Sequence, residues 1–166
     1  MKRQVEDELG LERGRDVIER LLKDGELDFV PPSFEAADDL LSHAEAHTAL
    51  ATLGIDSDPS GALQLSYDAA RKASSALLAI QGLRATQRGG HIAAIDAVAA
   101  QFNGQPGAEV FHRLHRLRRR RNDSEYPNLN SPGVTRSDAL EALAIAEATI
   151  AFSRTMINGT VLGPFV

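Results

Sequence analysis

GAEVFHRLHRLRRRRNDSEYP, residues Gly107–Pro127, reads as a helix that gathers positive charge toward its C-terminal end. At about 100° per residue, Val110, Leu114, Leu117 and Arg121 fall on one line, with Phe111 and Arg118 beside it. Arg116, Arg119 and Arg120 point elsewhere, toward solvent or a polyanion. A guanidinium on an apolar stripe is costly unless it is paired or lines a cavity, so Arg121 stands out. Arginines near a helix C-terminus are also favoured by the helix dipole alone. That simpler reading competes evenly for Arg118 and leads for Arg119 and Arg120. The helix breaks at Tyr126-Pro127, because a residue before proline is pushed out of the helical region.

The chain has 166 residues, 43% hydrophobic and 25% charged, enough for one well-filled core. One helical domain is expected over residues 11–157, with a flexible segment at 1–10 and a tail at 158–166. Cysteine is absent, which excludes a disulfide scaffold or thiolate metal site and fits a cytoplasmic location. Met1–Gly10 has no signal-peptide core, and the apolar-rich stretch Ala139–Phe152 is interrupted by Glu141 and Glu147, so no membrane association is expected. The net charge of -5 would repel a polyanion if it were spread evenly. Six of the 18 Lys and Arg residues instead lie between Arg113 and Arg121, and local charge sets what a surface attracts.

Other helices surround this one. Val17, Ile18, Leu21 and Leu22 recur at helical spacing over Glu12–Asp24, and Gly25 supplies a stop. Ser33 caps a helix running to about Leu53, where Gly54-Ile55 suits a left-handed C-cap. Asp58-Pro59 opens a third helix, a capping side chain followed by proline at the first position. That helix, to about Gln81, is rich in Ala and Ser, so neighbours can approach it closely. Gly82-Leu83 repeats the C-cap device, and a loop leads to a helix over His91–Phe102. Thr135 and Asp138 form a capping box before a last helix, about Ser137–Ile157, apolar around most of its circumference and thus buried in the bundle or partly against a second copy. No stretch alternates convincingly at period two. The expectation is an all-α bundle of five or six helices.

YDAARKASSALLAIQGLRATQRGGHIAAI, Tyr67–Ile95, followed by LRRRRNDSEY, Leu117–Tyr126, resembles the HEPN domain, the higher eukaryotes and prokaryotes nucleotide-binding family. The resemblance covers about residues 58–157. It implies a helical bundle that forms homodimers, with arginine motifs of two subunits facing one cleft. Many members are metal-independent endoribonucleases of toxin–antitoxin or phage-defence systems. Their motif is an arginine, a polar residue, four to six arbitrary residues and a histidine. Arg121 and Asn122 match its first half, but Tyr126, Pro127 and Asn128 stand where the histidine is expected. Tyrosine, with an ordinary pKa of about 10, is a poor base and only a plausible acid or hydrogen-bond donor. His91, spaced from Arg84 as the motif requires but across a loop, is the best substitute on paper, against a simpler packing or capping role. The candidate catalytic set is Arg121, Asn122, Tyr126 and His91, with Arg116, Arg118, Arg119 and Arg120 as phosphate contacts.

Tyr67, Asp68 and Arg71 form a supporting group on the central helix, since residues four apart share a face. An internal salt bridge is an equal reading for them. His43 and His47 have metal-capable spacing, but no third ligand lies nearby, so no metal and no other cofactor is expected. Three readings stay open: an RNA-cleaving protein, a non-catalytic module binding RNA or nucleotide phosphates, and a protein docking an acidic partner through the arginine helix. By resemblance that partner is a cognate antitoxin or a nucleotidyltransferase, and Tyr126 is the tyrosine whose modification would silence the protein. Phosphate-binding and dinucleotide glycine loops are absent, as is any local nucleophile signature.

Overall fold

The computed structural model describes residues 14–126, 129–130, 132–159 and 162–166. Among the described residues, six helices and a short ribbon run in the order α1 (Arg15–Lys23), β1 (Leu27–Phe29), α2 (Phe34–Gly54), α3 (Pro59–Ala79), β2 (Leu83–Ala85), α4 (Gly90–Gln101), α5 (Val110–Glu125) and α6 (Arg136–Asn158). The fold is a helical bundle with α3 at its centre, packed on α2, α4, α5, α6 and β2. The expected segment 1–10, and Pro127 and Asn128 of the turn after α5, lie outside the described residues.

Local chemistry explains the helix ends. Asp58 accepts from the Gly61 N–H at 2.9 Å with Pro59 at the first helical position, and Ser33 accepts from the Ala36 N–H at 3.0 Å. Thr135 and Asp138 close a reciprocal capping box at the head of α6. Gly25 and Gly82 take the left-handed backbone (φ 70° and 75°) that only glycine adopts at little cost, and each ends a helical run. Gly54 differs from expectation: it closes α2 in ordinary helical conformation, and the chain continues through Ile55 at φ -53°.

Seven of the eleven buried residues of α3 are Ala or Ser, which lets α2 and α6 approach its backbone. Their hydroxyls are satisfied locally: Ser66 donates to the Ala62 carbonyl at 2.8 Å and Ser74 to that of Ala70 at 2.9 Å. Ser153 of α6 donates to the Ala73 carbonyl at 2.9 Å, fixing the α3–α6 contact. At the start of α5, Phe102, Phe111 and Phe152 pack with ring centroids 5.3 to 6.4 Å apart, Phe152 edge-on to the other two.

One feature lies outside the expected all-helical pattern. LDF and LRA, three residues each, form an antiparallel ribbon with Asp28 opposite Arg84; runs so short give no legible period-two pattern. Residues 162–166 of the tail have no regular structure and are anchored to the bundle. The Phe165 N–H donates to the Gln81 carbonyl at 2.9 Å, and the Phe165 ring lies 6.5 Å from that of Phe29 and under the Arg15 guanidinium. On α6 the apolar circumference is partly open, with Leu140, Ala144, Ala148 and Ala151 exposed. Among the described residues no helix is long and apolar enough to cross a membrane.

Candidate functional site

The C-terminal half of α5 crosses α3 near Gln64 and Tyr67. Arg121, on the same line as Leu114 and Leu117, is carried down against α3 by the burial of those leucines. Its Nε donates to Gln64 Oε1 at 2.9 Å, one Nη approaches Glu125 Oε1 at 2.7 Å and the other reaches Asn122 Oδ1 at 3.4 Å. Gln64 in turn donates to Ser124 Oγ at 3.1 Å, and Ser124 donates to the Arg121 carbonyl at 2.7 Å. Gln64 therefore holds both ends of this helical turn, so the guanidinium is placed by three hydrogen-bonded groups and costs little further entropy to use.

The Arg121 guanidinium lies over the Tyr67 ring, 5.5 Å from its centroid. Tyr67 is 2% exposed, and its hydroxyl makes no hydrogen bond among the described residues. The His91 ring, at the start of α4, lies tilted by 45° to the same ring, with centroids 6.2 Å apart. Burial pushes the Tyr67 hydroxyl above its ordinary pKa against the charges of Arg121, Arg118 and Arg71. His91 shifts the other way. Its outer edge is exposed, yet partial desolvation, then the charges of Arg71 and Arg121, hold it below the usual imidazole range. Both groups are thus neutral at pH 7 beside fixed cations.

Next to Tyr67 on α3, Asp68 accepts from Arg71, one turn further on, at 2.5 and 3.1 Å and meets Lys72 at 3.0 Å. Burial alone would raise its carboxyl pKa; the hydrogen bonds and charges of Arg71 and Lys72 outweigh that and lower it. His47 Nδ1 of α2 lies 2.9 Å from Asp68 Oδ2, in a geometry outside that of a hydrogen bond. Around Tyr67 the fold therefore sets four permanent cations, Arg71, Lys72, Arg118 and Arg121, against two carboxylates, Asp68 and Glu125. An excess of positive charge beside a neutral histidine suits an anion.

The structure thus joins Arg121, Asn122, Tyr67, Asp68, Arg71 and His91, residues from three helices, in one cluster. Arg118 borders it with a buried Nε that has no hydrogen-bond partner. Tyr126 is 79% exposed at the end of α5, where its backbone N–H donates to the Asn122 carbonyl at 3.1 Å. Arg120 turns to the other side of α5, where it donates to the Pro132 and Gly133 carbonyls at 3.2 and 3.0 Å and to Asp138 at 2.9 Å. Arg116 and Arg119 face solvent. His43 is exposed, and among the described residues no group of three His, Cys, Asp or Glu gathers to hold a metal ion. Gln64, Lys72, Ser124 and Glu125 were not singled out from the sequence. The signal was there for Gln64: with Tyr67, Asp68 and Arg71 it forms a polar line at helical spacing on an otherwise Ala- and Leu-rich helix.

Comparison with protein-family models, curated proteins and solved structures finds no match to this chain.

Proposed function

We propose that this chain is an RNA-targeting protein of HEPN type that binds a phosphate beside Arg121 and cleaves the strand slowly, without a metal ion, as a homodimer. The observation that carries the reading is Tyr67, whose ring meets both the Arg121 guanidinium and, tilted to it, the His91 imidazole. His91 comes from a different helix and supplies in space the imidazole that the sequence after Arg121 does not. In the proposed reaction the 2′-hydroxyl oxygen attacks the adjacent phosphorus while its proton passes to the neutral His91 imidazole. Arg121 and Arg71 meet the charge that develops on the phosphorane oxygens. The P–O5′ bond breaks, O5′ takes a proton from water, and the products are a 2′,3′-cyclic phosphate and a 5′-hydroxyl. The charged histidine returns its proton to solvent.

A second reading is binding without cleavage, and one observation favours it. Glu125 already sits 2.7 Å from the Arg121 guanidinium and competes with any phosphate for it. End-labelled RNA incubated in EDTA with the wild type and with Arg121→Ala separates the two. Cleavage lost in the variant supports the nuclease; salt-sensitive binding that needs Arg121 and yields no product supports the binding module.

A further inference from the structure

Beside the tyrosine cluster, on the flank of α5 that faces α6, a cleft of about 240 Å³ opens between α5 and α6. Its floor is apolar and buried: Leu63 of α3, Leu117 of α5, and Ala142 and Ile145 of α6. Its α5 wall carries Arg113 and Arg116, which make no hydrogen bond or ion pair among the described residues. Arg120, in the same wall, is already held by Asp138 and two carbonyls. Residues three apart on a helix are neighbours, so both free guanidiniums can reach one anion. Glu141 faces them from α6.

We propose that this cleft binds a small organic anion whose apolar body lies on Leu63, Leu117, Ala142 and Ile145 while its phosphate or carboxylate meets Arg113 and Arg116. Two observations select this class. Unpaired guanidiniums select a negative headgroup, and planar guanidinium forks match a phosphate or carboxylate. The buried floor selects an apolar body, and the volume, below the roughly 300 to 1,000 Å³ of a drug-sized pocket, limits it to one or two rings or a short acyl chain. Glu141 repels the headgroup and directs it to the α5 wall. The site is separate from the Arg121 cluster and does not depend on what that cluster does.

Calorimetric titration with 1-naphthyl phosphate tests this, with inorganic phosphate and 1-naphthol as the two halves of the probe. Expected is saturable binding of the whole probe, tighter than of either half, weakened about tenfold by Arg113→Gln or Arg116→Gln and tightened up to about fivefold by Glu141→Gln. Arg116 and Glu141 are exposed and Arg113 is half-buried, so a thermal melt of each variant checks that it folds like the wild type. Arg121→Ala is expected to leave this binding unchanged while altering RNA binding. The proposal is overturned if naphthyl phosphate does not saturate at millimolar concentration, if inorganic phosphate binds as tightly, if both arginine variants bind normally, or if Arg121→Ala abolishes binding.

Discussion

The Arg121 guanidinium rests over the Tyr67 ring with 5.5 Å between its central carbon and the ring centroid, so a buried aromatic of α3 fixes the height of the cation on α5. Such a contact contributes about 0.5 to 2 kcal/mol, more as water is excluded. The ring makes the contact and the hydroxyl does not, so Tyr67→Phe is expected to keep stability within about 1 kcal/mol and RNA affinity within about twofold. Tyr67→Leu keeps an apolar side chain but removes the π face; it is expected to lose about 2 kcal/mol in urea unfolding and to weaken RNA binding.

His91 gives the second prediction its sign. Its pKa lies below 6.5, so the imidazole is charged in acid and free to take a proton at neutral pH. Cleavage should rise as pH increases through a value below 6.5 and then hold level across pH 7 to 8. His91→Ala should remove that rising limb, and His91→Arg should bind RNA as well as the wild type without cutting it. A pH–rate profile under single-turnover conditions reads all three.

The helix frame was legible because its signals are local. Ser33, Asp58-Pro59 and the Thr135/Asp138 box act within four residues, and each starts a helix at or beside the expected place. The ribbon was not legible, since three-residue strands paired 54 to 58 positions apart carry no periodic signature of their own. The site divides the same way. Arg121 was visible as a cation on an apolar line, but its sharing of the Tyr67 ring with His91 depends on how α4 and α5 settle on α3. The arginine run also hid its own division: Arg120 and Arg121 are adjacent in sequence, yet one braces the head of α6 and the other joins Tyr67.

Asp68 links stability to acid. Its folded pKa lies below the unfolded value of 3.8, so its contribution is complete above that value and is lost as pH falls through the folded value. The carboxylate is partly exposed, so Asp68→Asn is expected to cost only about 1 kcal/mol at pH 7 and to blunt the acid sensitivity of unfolding. By freeing Arg71 and Lys72 it should also tighten RNA binding, measurable in the same preparation by fluorescence anisotropy.

Arg119 offers a different contrast, because it is exposed and takes no part in the Tyr67 cluster. If it meets one phosphate of a single strand, Arg119→Gln should reduce the slope of log K against log salt by about 0.7. Cleavage at saturating RNA should stay unchanged, since no reacting group is touched.

The most direct test is single-turnover RNA cleavage in EDTA by the wild type, Arg121→Ala, His91→Ala and the double variant. One shared site predicts that each single change lowers the rate at least about 100-fold, that the double change costs little more than either alone, and that the product ends are 2′,3′-cyclic phosphate and 5′-hydroxyl. Cleavage that persists in both single variants, or that the wild type performs only when a divalent metal is restored, would contradict a metal-independent site built from Arg121 and His91.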